Sequence, residues 1–388
     1  MEPATGGEHR CAGIRPRGGR PESDMMEHSA VVAGASASAA PAWAGSIAEH
    51  LCSQLRYATL APSRHNSQPW SFEIEGAEVR VYGDFGRALR SADPLGRELV
   101  MACGAAALNL ELAVRHHGHA ASVELMDGSR KDGLLARVVL EEPRPPTPDE
   151  EKLFAAIPAR RTNRLAFEAR DVPSGIVTAL VRDAAAERAS LRAVEQSVRA
   201  VVADLVAEAD RAQWSDPRFR AELAAWSRSN GSGALDGMPG YAHGYSDRAS
   251  VLHRLLVRLR VGRGAEERRD RHFALHTRAL LALCTRGDTA ADWLQAGRAM
   301  QRVLLRATSF GLSASYFGPV IEVPRTRKRL RQALGERGHP QLLVRLGFGQ
   351  PPRATPRRPV ESVLRSLFPR AGLHALARSS DAALPGFG

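Results

Sequence analysis

Apolar residues recur at helical spacing at Ile47, Leu51 and Leu55 and close on Tyr57, so the pattern predicts a helix from near Gly45 into the loop that begins at Ala61. Ser71 to Ile74 and Val79 to Tyr82 alternate apolar and polar positions about Gly76, as a hairpin does. Asp93 followed by Pro94 reads as an N-cap with proline in the first turn of a helix that continues through Leu99 to Val114 and stops at Gly118. A second hairpin pairs Ser122 to Met126 with Leu135 to Leu140, turning at Asp127 and Gly128. Pro143 to Pro148 holds four prolines in six residues and reads as a linker.

Beyond it the pattern predicts helices over 149–157, 174–187, 197–214 and 217–228. Five glycines follow between Gly231 and Gly244, a stretch long enough to act as a lid. Val251 to Val261 is a basic amphipathic surface helix, Ala279 to Cys284 a buried strand, Ala290 to Thr308 a long helix, and Gln341 to Leu346 a last strand before a Pro- and Arg-rich tail. These elements divide the chain into a disordered segment over 1–42, an N-terminal half over 43–142, the linker over 143–148, a C-terminal half over 149–365 with the lid around 214–245, and a flexible tail over 366–388. A translation start at Met25 or Met26 is compatible with this reading.

With 388 residues, 44% hydrophobic and 25% charged, the composition is that of a soluble globular protein, expected in the cytoplasm. The four cysteines form no CxxC pair, and Cys103 falls in an apolar helical run where a small buried hydrophobe is expected. The net charge of +12 is almost all arginine, the lysines being Lys131, Lys152 and Lys328. No helix-turn-helix, zinc-finger or aromatic RNA-binding signature accompanies it, so the excess reads as a basic surface; neither a nucleic-acid nor a membrane partner is expected. His116, His117 and His119 end a helix, where imidazoles meet its dipole favourably, and no further ligand spacing suggests a metal.

Serine-hydrolase, kinase and Rossmann motifs are absent. Two polar clusters remain. Pro62-Ser63-Arg64-His65-Asn66-Ser67-Gln68-Pro69-Trp70 packs donors and acceptors between a helix and a strand; Arg160-Arg161-Thr162-Asn163-Arg164 carries three guanidinium groups and a hydroxyl, the groups that hold a phosphate.

Together the clusters resemble the PSxxNxQPW signature and the RRSxR phosphate motif of FMN-dependent nitroreductases, the second closing on Phe167. Gly318-Pro319-Val320-Ile321-Glu322 is similar to that family's later flavin-facing loop, and Leu346 to Gly349 with Arg357 and Arg358 to its closing strand and last phosphate-side arginine. The resemblance covers about residues 45 to 365 of the sequence. The motif order departs from an ordinary chain of the family: PSxxN comes first and the phosphate motif opens the second half. Asp93 to Leu99 and Gly104 to Ala106 also resemble the fused subgroup called the Acg family, in which one chain plays both halves of a dimer.

The resemblance implies an α+β fold, two nitroreductase-like halves packed as an intramolecular pseudo-dimer that completes one FMN site. It implies that Arg160, Arg161, Thr162 and Arg164, with Arg358, bind the FMN phosphate. Ser63 and Asn66 then face the isoalloxazine edge, Gln68 bonds flavin or fixes the loop, Pro62 stiffens it, and backbone N–H groups of Ile321 and Glu322 face N5. The implied function is FMN-dependent reduction of nitroaromatic, quinone or similar small-molecule acceptors with NAD(P)H, with no catalytic side chain. An FMN-sequestering protein whose lid covers the flavin is the alternative. A monomer suffices for the site, and a homodimer is compatible with it. A basic nucleic-acid module is a third reading, which retention on DNA without a yellow chromophore would favour.

Overall fold

The structure is a computed structural model that describes residues 46–127, 132–259, 261 and 263–365; the expected N-terminal segment, the C-terminal tail, Cys11 and Gly128 lie outside them. Ser46 starts the first helix by reciprocal capping. Its Oγ accepts from Glu49 N (3.2 Å) and its own N–H donates to the Glu49 carboxylate (2.6 Å). From there run α1 (Ile47–Ala58), β1 (Trp70–Glu75), β2 (Glu78–Gly83), α2 (Arg97–His116), β3 (His119–Leu125) and β4 (Leu134–Pro143). The strands form an antiparallel sheet in the order β1-β2-β4-β3.

Helix α2 begins three residues later than the Asp93-Pro94 pattern suggests. Gly96, in the left-handed region at φ 74°, redirects the chain, and the Asp93 carboxylate reaches forward to accept from Leu99 N at 3.0 Å. Among the described helices α2 is long and apolar enough to cross a membrane by composition, yet nearly all its side chains are buried in the protein core.

In the second half come α3 (Pro148–Ala156), α4 (Ser174–Ala186), β5 (Ser190–Ala193), α5 (Arg199–Ser215), α6 (Pro217–Trp226), the two-residue strands β6 (Ser227–Arg228) and β7 (Met238–Pro239), α7 (Asp247–Arg258), α8 (Arg263–His276), β8 (Ala279–Thr285), α9 (Ala290–Ser309), β9 (Ser313–Tyr316), α10 (Pro319–Glu322), α11 (Pro324–Ala333) and β10 (His339–Gly347). Its sheet runs β5-β8-β10-β9, again antiparallel throughout.

The two sheets have one topology. In each, the order is first, second, fourth, third strand, and the 20-residue helix α2 or α9 connects the second strand to the third. The two helices cross reciprocally: a Cβ on Gly104 of α2 would stand 2.3 Å from Leu294 O, and one on Gly297 of α9 would stand 2.0 Å from Met101 O. Each glycine therefore accepts the backbone three residues before its counterpart, the arrangement of a two-fold contact made within one chain. One apolar core runs through the crossing, from Trp70, Phe72 and Val81 to Leu281, Leu283 and Val344. The chain is thus α+β, two like halves packed as an intramolecular pseudo-dimer.

The halves differ in what joins their first two strands. Between β1 and β2 lies the turn at Gly76; between β5 and β8 lie α5 to α8, with the glycine-rich stretch. That stretch lies against the first half. Glu222 accepts from Ser91 N (3.0 Å) and Ala92 N (2.9 Å), Phe219 packs with Leu89 and Ala92, and Asp236 pairs with Arg87 and with Arg228. Beyond β10 the chain returns to β1, where Phe72 N donates to Val363 O (2.8 Å) and Arg365 N to Phe72 O (2.7 Å). This return places Arg357 and Arg358 beside the loop after α1.

Candidate active site

The loop between α1 and β1 is held in a conformation its residues do not choose alone. His65, Asn66 and Gln68 have φ of 49°, 54° and 49°, left-handed values that cost L-residues free energy and persist only under external restraint. The restraints come from the loop's own polar atoms. Ser63 Oγ accepts from Gln68 N (2.9 Å); Gln68 Nε2 donates to Leu235 O (2.8 Å), and Gln68 Oε1 accepts from Arg358 N (2.7 Å). Asn66 Nδ2 donates to Pro356 O (3.0 Å) and Gly237 O (3.2 Å), while its Oδ1 accepts from Arg357 Nη1 (2.9 Å). Of the two roles open to Gln68, the geometry supports fixing the loop. Trp70 is fully buried and anchors the loop's far end.

Arg160 to Arg164 follow α3 and are bound to β9 through Asn163. Its N–H donates to Ala314 O (2.8 Å), its Nδ2 to Gln350 O (3.0 Å), and its Oδ1 accepts from Leu165 N (3.0 Å). Arg345 braces the same segment, donating to Leu165 O (2.8 Å), with its guanidinium 4.1 Å from the Phe167 ring centroid and 4.3 Å from that of Phe273. With the backbone fixed, Arg160, Arg161 and Arg164 line one cleft together with Arg357. Arg160 is 4% exposed, and its Nε and Nη1 are buried with no hydrogen-bond partner among the described residues. No ion pair to a carboxylate forms at Arg160, Arg161, Arg164 or Arg357 among the described residues. Burial, and after it the charge of Arg64, lowers Arg164 to about 10; burial, and after it Arg160 and Arg161, lowers Arg357 to about 9. Uncompensated guanidinium groups at a buried site are the counterpart of an anion.

One cleft receives both clusters. Pro62, Ser63, Asn66, Arg160, Arg161, Thr162 and Arg164 all line it. Gln68, Ile321, Glu322 and Arg358 do not, and each has another place. Arg358 donates to Ser362 O (2.7 Å), so Arg357 takes the cleft position expected of it. The N–H groups of Ile321 and Glu322 both bond Gly318 O (2.9 and 3.0 Å) within α10, which leaves them unavailable to a ligand and corrects the expectation that they face N5. The Glu322 side chain instead accepts from Arg64 Nη2 (3.0 Å) and Gln213 Nε2 (2.5 Å). Burial pushes that carboxyl well above the usual range. Gly318 makes the pair possible: a Cβ there would stand 2.4 Å from Arg64 Nη1 and 2.5 Å from Glu322 Oε1.

Sequence reasoning named Arg357 beside Arg358 but gave the phosphate role to Arg358, and it did not find Asp210 and Gln213 of α5. In an extended segment adjacent side chains point to opposite sides, so the pair Arg357-Arg358 does not say which one faces inward. Asp210 and Gln213 are three apart on a helix whose other inward residues, Arg199 apart, are apolar, a spacing that shows a shared face only once the helix is placed.

Comparison with known proteins finds relatives that the chain covers over most of their length. No family model matches it. It is 33% identical over 324 residues to "Putative NAD(P)H nitroreductase Rv3131" of Mycobacterium tuberculosis, covering 82% of this chain and 91% of that protein. It is 28% identical over 315 residues to "Putative NAD(P)H nitroreductase acg" of the same species, covering 80% and 94%. The chain belongs to this nitroreductase family. Among solved structures, the FMN-dependent nitroreductase NfnB of Mycobacterium smegmatis is similar at 16% identity and a TM-score of 0.37, over 57% of this chain and 99% of that one. The NADPH:FMN oxidoreductase of Vibrio harveyi is similar at 14% and 0.35, over 60% and 85%.

Proposed function

We propose that the chain is an FMN-dependent NAD(P)H oxidoreductase of the cytoplasm, reducing nitroaromatic, quinone or similar small-molecule acceptors. The observation that carries this reading is the buried guanidinium group of Arg160, whose Nε and Nη1 have no hydrogen-bond partner among the described residues, in a cleft that Arg161, Arg164 and Arg357 also line. Such a site fits a dianionic phosphate, because each oxygen takes charge-assisted donors that the protein leaves unused. Arg160, Arg161 and Arg164 with Arg357 would hold the FMN phosphate, and the Thr162 hydroxyl would join them. Pro62, Ser63 and Asn66, which line the same cleft, would face the ring system. When bound, FMN supplies hydride acceptance and delivery at N5. The chain's part is then to position the ring and exclude water.

A second reading is supported by the lid. Leu235 O and Gly237 O accept from Gln68 and Asn66, so the loop forming the wall is tied to the segment over it. If those ties persist in solution, the chain stores or sequesters FMN with little turnover.

The site is complete once. The loop after α1 has its topological counterpart between α4 and β5, where only Glu187, Arg188 and Ala189 remain. We therefore expect one FMN per polypeptide, measured as flavin absorbance against protein concentration. A colourless protein that takes up no added FMN would sink the proposal, and a ratio near two would reveal a second site. Anaerobic titration with NADH and NADPH then separates the two readings: bleaching within the mixing time supports the oxidoreductase, and a flavin that stays oxidised supports the store.

A further inference from the structure

Helix α7 is turned the opposite way from an ordinary surface helix, which buries its apolar side and shows its polar one. Val251, Leu252, Leu255, Leu256 and the cap residue Leu259 are between 36% and 65% exposed, and Val261 beyond them is exposed too. At about 100° per residue the first five cover one continuous arc of about 140°. Six of the thirteen exposed large hydrophobic side chains among the described residues thus fall between Val251 and Val261. None of the six belongs to an apolar cluster of the core. The opposite side of the helix is the one the protein uses. Val257 packs with Trp214 and Ala224, Ser250 Oγ accepts from Asn230 N (3.1 Å), and His253 lines the cleft.

Charge accompanies the apolar arc. From Asp247 to Arg263 the sequence holds five arginines and a single carboxylate, that of Asp247, which accepts from Asn230 Nδ2 (2.8 Å). Arg248 and Arg258 are exposed and form no ion pair among the described residues. A second copy of the chain, related by a two-fold axis, would set these arginines against their own kind in a molecule of net charge +12. An anionic bilayer meets both parts of the pattern at once, since headgroups take the guanidinium groups and the acyl boundary takes the leucines.

We propose that α7 docks the protein on the surface of an anionic lipid bilayer. With 12 residues the helix is far short of the roughly 20 needed to span, so it lies in the plane of the interface. Leu252, Leu255 and Leu259 enter the acyl boundary, while Arg248 and Arg258 extend their aliphatic stems over it and keep their heads among the lipid phosphates. The docking needs nothing from the flavin reading.

Cosedimentation of the full chain with vesicles of phosphatidylcholine, alone or with roughly a third phosphatidylglycerol, tests this. An arginine near an anionic surface is worth about fivefold in affinity, so Arg248 and Arg258 together give the anionic vesicles a preference of at least about tenfold at low salt, lost at high salt. Leu252→Gln with Leu255→Gln leaves the charge unchanged and is expected to weaken binding at least about tenfold. Val201→Gln, at an exposed position of α5, is expected to leave it unchanged. Thermal denaturation confirms that both variants fold. No association with anionic vesicles overturns the proposal, as does association that the leucine pair leaves intact, which would assign lipid binding to charge alone. Gel filtration reads the competing occupant: a dimer that the leucine substitutions dissolve assigns the face to a second copy and overturns the docking.

Discussion

At the scale of single residues, the phosphate-type site is defined by arginines that form no ion pair to a carboxylate among the described residues. Arg160 and Arg164 are expected to contribute to FMN binding through the phosphate, each by about 1.5 to 3 kcal/mol, so Arg160→Ala or Arg164→Ala weakens FMN roughly tenfold to a hundredfold. Riboflavin, which lacks the phosphate, is the control. Fluorescence titration with both ligands checks this, and equal losses for the two would assign the arginines a structural role. The types of these residues were legible in the sequence because guanidinium groups and a hydroxyl at close spacing suit few other tasks. Their partners were less so. Asn66 read as flavin-facing and Gln68 as bonding flavin or fixing the loop, but neither reading named the partners Pro356, Gly237 and Leu235, residues more than a hundred positions away. Arg357 rather than Arg358 faces the cleft for a similar reason, since the return of the chain to β1 sets which of the two turns inward.

At the scale of elements, the crossing of α2 and α9 is the joint on which the cleft depends, since Met101 and Ala102 on one helix and Met300 on the other line it. Gly104 and Gly297 permit the approach, and neither contact has room for a methyl group because the opposing atom is backbone. Gly104→Ala and Gly297→Ala are each expected to destabilise the fold by about 1 to 3 kcal/mol, the usual cost of overpacking, and to weaken FMN binding as the helices part. Gly175→Ala, in a helix and with open space about the new Cβ, is the control and is expected to be neutral or to stabilise by up to about 1 kcal/mol. Thermal denaturation of the three variants measures the difference, and a crossing variant as stable as the control would show that the helices adjust freely. The glycines were visible in the sequence as parts of apolar helices, but their pairing needs the three-dimensional crossing. Periodicity found α1, α2, α9 and both first-half hairpins, whose apolar positions repeat cleanly. It missed α8 and α11, which are dominated by charged residues, chiefly arginine, and rely on α5 to cover few apolar residues, and the four-residue strands β5 and β9.

At the scale of the whole molecule, the two like halves differ by the insertion between β5 and β8, and the proposed store reading makes that insertion a gate on turnover. A nicotinamide must approach the flavin closely for hydride transfer, so a segment fixed over the ring slows reduction by the fraction of time it is open. Removing Ser232 to Ala242 is a blunt test, because Leu235 and Gly237 also hold Gln68 and Asn66 and the deletion disturbs the wall of the site itself. Asp236 offers a finer one. Its carboxylate joins Arg87 of the first half to Arg228 of the lid, and it makes no bond to the loop after α1. Side chains of all three are partly exposed, so solvent screening limits the tie to about 1 kcal/mol, at most about 2. Asp236→Ala is therefore expected to raise the rate of flavin reduction by NAD(P)H roughly fivefold, and no more than about thirtyfold, with FMN affinity unchanged. Stopped-flow absorbance on the unaltered and substituted proteins reads this directly. Fast reduction in both would remove the lid as a gate and leave an ordinary oxidoreductase, whereas slow reduction in the parent and acceleration in the variant would locate the control of turnover in the insertion between β5 and β8.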